Sequence, residues 1–265
     1  MRAHERITGA IRAAAAGGEP ALVAYLTAGF PQRGEFARHL EAVAAAADVV
    51  EIGVPFTDPM ADGVTIQRAS LAALAQGVTL RWILAEVERL KWLRTPLLLM
   101  SYLNPLLAFG VGELAESAAR AGVAGFIVPD LPLDESGELA AALTSRGIAL
   151  VQMVTPVTEP QRLEALCARS QGFVYAVTMT GTTGRNVAVP DEVIAYLGRV
   201  RAVSKLPVCA GFGIRSREQV ARLTGHVDGV VVGSALVEVL ERGEDPARWL
   251  RELRGREAPV ILKGA

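Results

Sequence analysis

Apolar residues fall into eight short, nearly unbroken runs: Leu22 to Ala28, Val49 to Val54, Leu97 to Tyr102, Gly125 to Asp130, Ala149 to Thr155, Phe173 to Thr178, Val208 to Gly213 and Gly229 to Gly233. Short runs rich in Val, Ile and Leu, without polar alternation, are the pattern of strands buried on both faces. Between them the apolar spacing turns helical over Gly34 to Ala47, Leu80 to Arg94, Val111 to Ala121, Glu135 to Arg146, Gln161 to Arg169, Pro190 to Val203, Arg217 to Leu223 and Ala235 to Leu240, with a further turn from Pro246 to Leu253. Strands alternating with helices predict a parallel sheet. Eight repeats in this length predict a closed (β/α)8 TIM barrel rather than an open doubly wound sheet. An extra amino-terminal helix from Arg2 to Ala16, ended by Gly17, Gly18 and Pro20, is placed to plug the barrel's amino-terminal face. With no low-complexity linker, residues 1–265 are expected to form a single TIM-barrel domain.

The spacing of the runs is uneven. The second strand starts 48 residues before the third, and the sixth starts 35 before the seventh, which predicts extended loops after strands 2 and 6. In barrels of this kind the chemistry sits on the loops that follow the strands, so Pro55 to Gln67 and Thr178 to Val189 are where to look.

Composition removes several classes of function. The chain has 265 residues, 27 basic against 28 acidic side chains and a net charge of −1, with its arginines scattered among acids, so no nucleic-acid partner is expected. The apolar runs are too short and too interrupted to span a membrane, and the amino terminus lacks the profile of a secretion signal. Cys167 and Cys209 have no motif spacing and read as buried free thiols, which fits a cytoplasmic protein.

Two acids stand out. Glu51 lies inside the second strand between Val49, Val50, Ile52 and Val54, where poor solvation raises a carboxyl pKa and suits it to give and take protons near neutrality. A structural Glu paired with an arginine at the barrel rim would read the same way. Asp62, between Ala61 and Gly63 on the following loop, is either a second functional carboxylate or a turn residue. Glycines end the late strands: Gly211-Phe-Gly213, Gly233-Ser234 before a helix, and Gly181-Thr-Thr-Gly184 on the sixth loop. Unhindered amides at a helix amino terminus bind anions without a lysine, so these loops point to a phosphate-bearing ligand. Gly211 to Ser216 does not continue as a dinucleotide fingerprint. No lysine falls at the carboxyl end of a strand for a Schiff base, and His4, His39 and His226 are placed away from a top-face metal site. What remains is proton transfer by carboxylates, with Tyr102 and Tyr175 as pocket walls or accessory acids.

These residues carry a resemblance. The run from Val50 through Glu-Ile-Gly-Val-Pro-Phe-Thr-Asp-Pro-Met-Ala-Asp-Gly-Val-Thr-Ile to Gln67 resembles the signature of the tryptophan synthase α subunit family. Tyr102-Leu-Asn-Pro105, Val128-Pro-Asp-Leu-Pro132, Thr183-Gly184, Gly211-Phe-Gly-Ile214 and Gly233-Ser234 match in order. The resemblance implies retro-aldol cleavage of indole-3-glycerol phosphate to indole and glyceraldehyde 3-phosphate, with no cofactor in this chain. It implies an α2β2 complex in which a pyridoxal-phosphate β subunit receives the indole. By the same resemblance Glu51 is the acid/base and Asp62 the second carboxylate; Gly184, Gly213, Gly233 and Ser234 hold phosphate, and Gly211 belongs to the substrate-binding set. Tyr102 and Tyr175 line the pocket, Thr183 bridges the sixth loop to Asp62, and Thr57, Asp58 and Pro132 lie near the partner. Met179 departs from the pattern, since a basic residue is common there. A stand-alone lyase releasing free indole and a non-catalytic phosphate-ligand-binding barrel are the alternatives.

Overall fold

All eight predicted strands form, and they pair in sequence order, every one parallel to its neighbours, until the eighth returns to the first and closes the barrel. The computed structural model describes residues 3–178, 189–211 and 213–255. The strands are β1 (Ala21–Thr27), β2 (Val49–Gly53), β3 (Leu97–Met100), β4 (Gly125–Ile127), β5 (Ala149–Val154), β6 (Val174–Val177), β7 (Val208–Gly211) and β8 (Gly229–Val232). Helices surround them: α1 (Ala3–Ala16), α2 (Phe36–Ala44), α3 (Val64–Ala75), α4 (Leu80–Arg89), α5 (Leu103–Phe109), α6 (Val111–Ala121), α7 (Gly137–Ser145), α8 (Pro160–Arg169), α9 (Asp191–Val203), α10 (Arg217–Leu223), α11 (Ser234–Glu241) and α12 (Pro246–Arg254).

Strand alternation splits the core in two. Leu22, Ala24 and Leu26 of β1, with Val50 and Ile52 of β2, face outward and pack against the helices. Val23, Val49, Leu98, Ile127, Val151, Phe173, Cys209 and Val231 face inward and fill the barrel. Both faces are thus apolar, which is why the strands lack alternation in the sequence. Cys167 and Cys209 are both buried free thiols.

Helix α1 closes the amino-terminal end as expected. Ile7 and Ile11 are fully buried against the inner cluster. Gly125 and Gly172 make the room: a Cβ at Gly125 would stand 3.2 Å from Ile7 Cδ1 and 2.9 Å from Ala149 Cβ, and one at Gly172 would stand 3.2 Å from the same Ile7 atom. Thr8 Oγ1 donates to the Gly172 carbonyl at 2.7 Å, fixing the helix in place. Nearby, Asp48 accepts the Leu22 N–H at 2.7 Å and pairs with Arg254 of α12, joining the last helix to the start of the barrel.

Three expectations need correction. The long interval after β2 is not all loop: chain 54–63 is irregular, and α3 takes up the rest, so Thr65 and Gln67 are helical. The sequence hid α3 because Thr65, Gln67, Arg68 and Ser70 interrupt its apolar positions, and its stability comes from packing Ile66 and Ala69 against the barrel. Helix α5 was hidden by Pro105, which falls in its first turn, where the missing N–H has no helical acceptor to lose. Several strands also end earlier than the apolar runs, because residues such as Tyr102 and Asp130 belong to the loops beyond the last paired position.

No helix among the described residues is long and apolar enough to cross a membrane. Truncating Ile7 or Ile11 to Ala should cost about 2–4 kcal/mol each in denaturant unfolding, since the barrel floor cannot collapse onto the gap. A loss well under 1 kcal/mol would show that α1 is only draped over the barrel.

Candidate active site

Glu51 faces the barrel interior between Val49 and Gly53, with Tyr25 of β1 and Leu98 of β3 as its register neighbours. Its side chain is 1% exposed, and Oε2 has no hydrogen-bond partner. Burial, reinforced by the negative charge of Asp62, pushes its pKa up to about 8. Among the described residues no cation acts on it. The rim-arginine alternative therefore fails: Glu51 is a carboxyl held protonated at neutral pH by surroundings that cannot solvate its charge.

Asp62 is half-buried at the end of the loop after β2. Burial raises its pKa to about 6, opposed by a hydrogen bond donated from the Tyr102 hydroxyl. That hydroxyl also accepts the Ala61 N–H at 2.9 Å. The Tyr102 ring stacks on Phe56 with centroids 5.3 Å apart, so both ends of the acid-bearing loop rest on one tyrosine. Burial pushes the Tyr102 phenol up to about 12, which keeps it a donor. The next residue, Leu103, donates its N–H to Asp130 Oδ1 at 2.8 Å, tying this clamp to the loop after β4. Tyr102 is thus more than a pocket wall.

Tyr175 faces inward on β6 and feels the charge of Glu51. A side chain at Gly211 would be driven into the Tyr175 hydroxyl, so Gly211 makes room for that ring as well as ending β7. Met100, Met153 and Val177, partly exposed at the strand ends, form an apolar collar on the same inner cluster.

One residue escaped the sequence reading. Tyr25 is buried on β1 beside Glu51, its hydroxyl 3.3 Å from Thr27 Oγ1. A Cβ on Gly53 would strike that hydroxyl, and one on Gly233 would lie 3.7 Å from the Tyr25 Cβ. Burial first, then Asp62, keeps the phenol neutral far above physiological pH. The signal was a glycine closing a strand in an inward position, which marks the close approach of another group.

Two of the glycine loops, those after β7 and β8, lie at the same end of the barrel. Gly213 turns with φ +82°, and Gly233 caps α11, whose first residue is Ser234. The first-turn amides of α11 have no acceptor within the helix and are free to meet an anion. Thr178, at the start of the sixth loop, donates both its N–H and its hydroxyl to the Gly211 carbonyl, at 2.9 and 2.8 Å. Met179, Thr183, Gly184 and Arg185 lie outside the described residues, as does Phe212. Thr57, Asp58 and Pro132 are exposed on the loops after β2 and β4. Among the described residues no three His, Cys, Asp or Glu side chains converge as a metal site would require. Lys91 and Lys205 precede β3 and β7 at the opposite face, where Arg12 of α1 donates to the Lys205 carbonyl at 3.1 Å.

Comparison with known proteins gives one answer. The family described as Tryptophan synthase alpha chain matches residues 11–257. The tryptophan synthase alpha chain of Nitratidesulfovibrio vulgaris strain DP4 is 46% identical over 248 residues, covering 93% of this chain and 96% of its own length. Tryptophan synthase of Mycobacterium tuberculosis superposes with a TM-score of 0.86 at 38% identity, covering 95% of this chain and 96% of that one. The tryptophan synthase complex of Pyrococcus furiosus gives 0.80 at 34% identity, over 90% and 97%.

Burial of Glu51 has a consequence for stability. From the ordinary carboxyl range up to about pH 8 the folded chain retains a proton that the unfolded chain has released, so stability falls as pH rises through that window. Glu51→Gln has no such proton, so its stability relative to the parent should increase steadily over the same range and level off above it. Thermal unfolding at pH 5, 7 and 9 checks this; parallel curves for the two proteins would contradict the burial argument.

Proposed function

The chain belongs to the tryptophan synthase alpha chain family, which cleaves indole-3-glycerol phosphate to indole and glyceraldehyde 3-phosphate, and we propose that Glu51 and Asp62 are the groups that do so here. The observation that carries this reading is the unpartnered carboxyl of Glu51, protonated at neutral pH within an apolar barrel. Phosphate binding alone has no use for such a group, which argues against a non-catalytic barrel.

The indole ring sits in the collar of Met100, Met153 and Val177. Its glycerol phosphate tail reaches the amides of Gly213, Gly233 and Ser234, with Gly184 completing the cradle. Protonated Glu51 delivers its proton to indole C3, which turns the ring into an iminium-like electron sink. Asp62, ionised, accepts the indole N–H and stabilises the positive charge that develops. The Glu51 carboxylate then removes the proton of the adjacent hydroxyl; the carbon–carbon bond electrons return to the ring, indole leaves, and the tail leaves as the aldehyde. Glu51 ends protonated, as it began. One carboxyl starts with a proton and the other without, and their environments, barrel interior against polar loop, set that difference. Tyr102 holds Asp62 by a hydrogen bond to its charged form. Each step is a proton transfer by the chain's own groups, and pyridoxal phosphate belongs to the β subunit.

The partner surface is the top rim. Thr57, Asp58 and Pro132 lie on it, and among them stand Met60, Val64 and Val157, which are 86%, 78% and 79% exposed. Large apolar side chains this exposed on neighbouring loops and at the start of α3 favour a covered rim, hence an α2β2 assembly, over a stand-alone enzyme.

Indole release from indole-3-glycerol phosphate should be greatest between about pH 6 and about pH 8, where Asp62 is ionised and Glu51 still holds its proton. A rate still climbing above pH 9 would contradict these roles. Glu51→Gln should lower kcat by roughly 10²–10⁴-fold while KM changes little. Normal cleavage by that variant would remove Glu51 from the mechanism.

A further inference from the structure

The substrate is gripped at two ends by parts of the barrel far apart in sequence, the phosphate by the loops after β7 and β8 and the indole by the loop after β2. Cleavage needs a fixed spacing between those grips, because a misplacement of about 1 Å at the reacting atoms costs on the order of 100-fold in rate. The apolar contact between α3 and α11 consists of Ile66, Ala69 and Val237 behind Tyr25. Apolar burial is non-directional, so this contact does not by itself set the axial register of the two helices.

A polar bridge does. Glu238, on the second turn of α11, is partly shielded and holds two partners at once. Its Oε2 pairs with the guanidinium of Arg215, two residues beyond Gly213. Its Oε1 accepts from Thr65 Oγ1 at 3.2 Å, and Thr65 is the second residue of α3, three beyond Asp62. On the α3 side, Gln67 Nε2 donates to the Asp62 carbonyl at 2.8 Å. On the β7 side, Gln219 Oε1 accepts the Arg215 N–H at 2.8 Å, and Ser216 and Gln219 form a capping box that begins α10. Farther out, Arg68 and Glu241 repeat the α3–α11 link at 2.5 Å, but both are largely exposed, so that pair contributes less.

We infer that Glu238 is a positioning residue for the cleavage: through Arg215 and Thr65 it fixes the distance between the phosphate cradle and the loop that carries Asp62. It touches no reacting atom. The inference rests on the proposed activity and adds to it a residue that sets the geometry between the two grips.

The test measures indole release and binding of sn-glycerol 3-phosphate, which occupies the phosphate end only, for the parent, Glu238→Ala, Glu238→Gln, Thr65→Val and the Glu238→Ala/Thr65→Val pair, with the β subunit present. Glu238→Ala should lose roughly tenfold in kcat, the worth of a hydrogen-bonded charge, while its Kd for sn-glycerol 3-phosphate stays close to that of the parent. Glu238→Gln, which keeps an acceptor for Thr65, should lose less. The double variant should be no slower than Glu238→Ala alone, because Thr65 acts through Glu238. Unchanged kcat in Glu238→Ala, additive losses in the pair, or a loss matched by weaker glycerol phosphate binding would each overturn the inference. If Glu238→Ala does not fold, the same comparison between Glu238→Gln and Thr65→Val decides. A parent protein that cleaves no indole-3-glycerol phosphate would overturn the activity itself; a parent that cleaves it alongside an equally fast Glu238→Ala would overturn only the role of Glu238.

Discussion

A carboxyl with no counter-charge, enclosed by a barrel of apolar side chains, is the constraint around which the rest of this structure is arranged. Glu51 occupies an inward position on β2 that in a purely structural barrel would be another valine. Burying it raises its pKa to about 8, so the protein forgoes stability above the ordinary carboxyl range to keep a proton available at the site. Its neighbours follow from that placement. Tyr25 and Tyr175 flank it with neutral phenols rather than cations, and Gly53 and Gly211 supply the space those rings need. A lysine or arginine in the same layer would lower the Glu51 pKa and abolish its use as an acid.

The two ends of the barrel divide the labour. At the amino-terminal end α1 inserts Ile7 into space left by Gly125 and Gly172, and Ile11 is buried in the same apolar cluster. At the other end the collar opens, Asp62 hangs on Tyr102, and the α11 amides face outward. Stability is therefore concentrated where no chemistry occurs, and the polar cost is concentrated where the substrate's binding energy is available to offset it.

The barrel was legible from the sequence because each strand is apolar on both faces and each helix on one, so the period changes at every boundary. Glu51 stood out for the same reason, as an acid between Val50 and Ile52, but the sequence alone left a structural pairing with a rim arginine equally open. Asp62 was legible only as a candidate, because what distinguishes it from a turn residue is the Tyr102 hydroxyl arriving from 40 positions away. Helix α3 and Tyr25 were hidden by the same kind of long-range dependence. The interrupted apolar positions of α3 are stable only against the barrel, and Tyr25 reads as ordinary strand filling until Gly53 is seen to yield to it. Glu238 gave no local signal at all, since its partners Arg215 and Thr65 lie on other elements.

The claim on which all of this turns is that Glu51 carries a proton at neutral pH while Asp62 does not. Infrared difference spectra between the parent and Glu51→Gln, recorded from pH 5 to pH 10, observe that proton through the C=O stretch of a protonated carboxyl. A Glu51 band should persist at pH 7 and fade only around pH 8, with no matching band at pH 7 in the parent-minus-Asp62→Asn spectrum. Absence of the Glu51 band at pH 7 would mean that the barrel solvates the charge after all, and the acid role of Glu51 would fall with it.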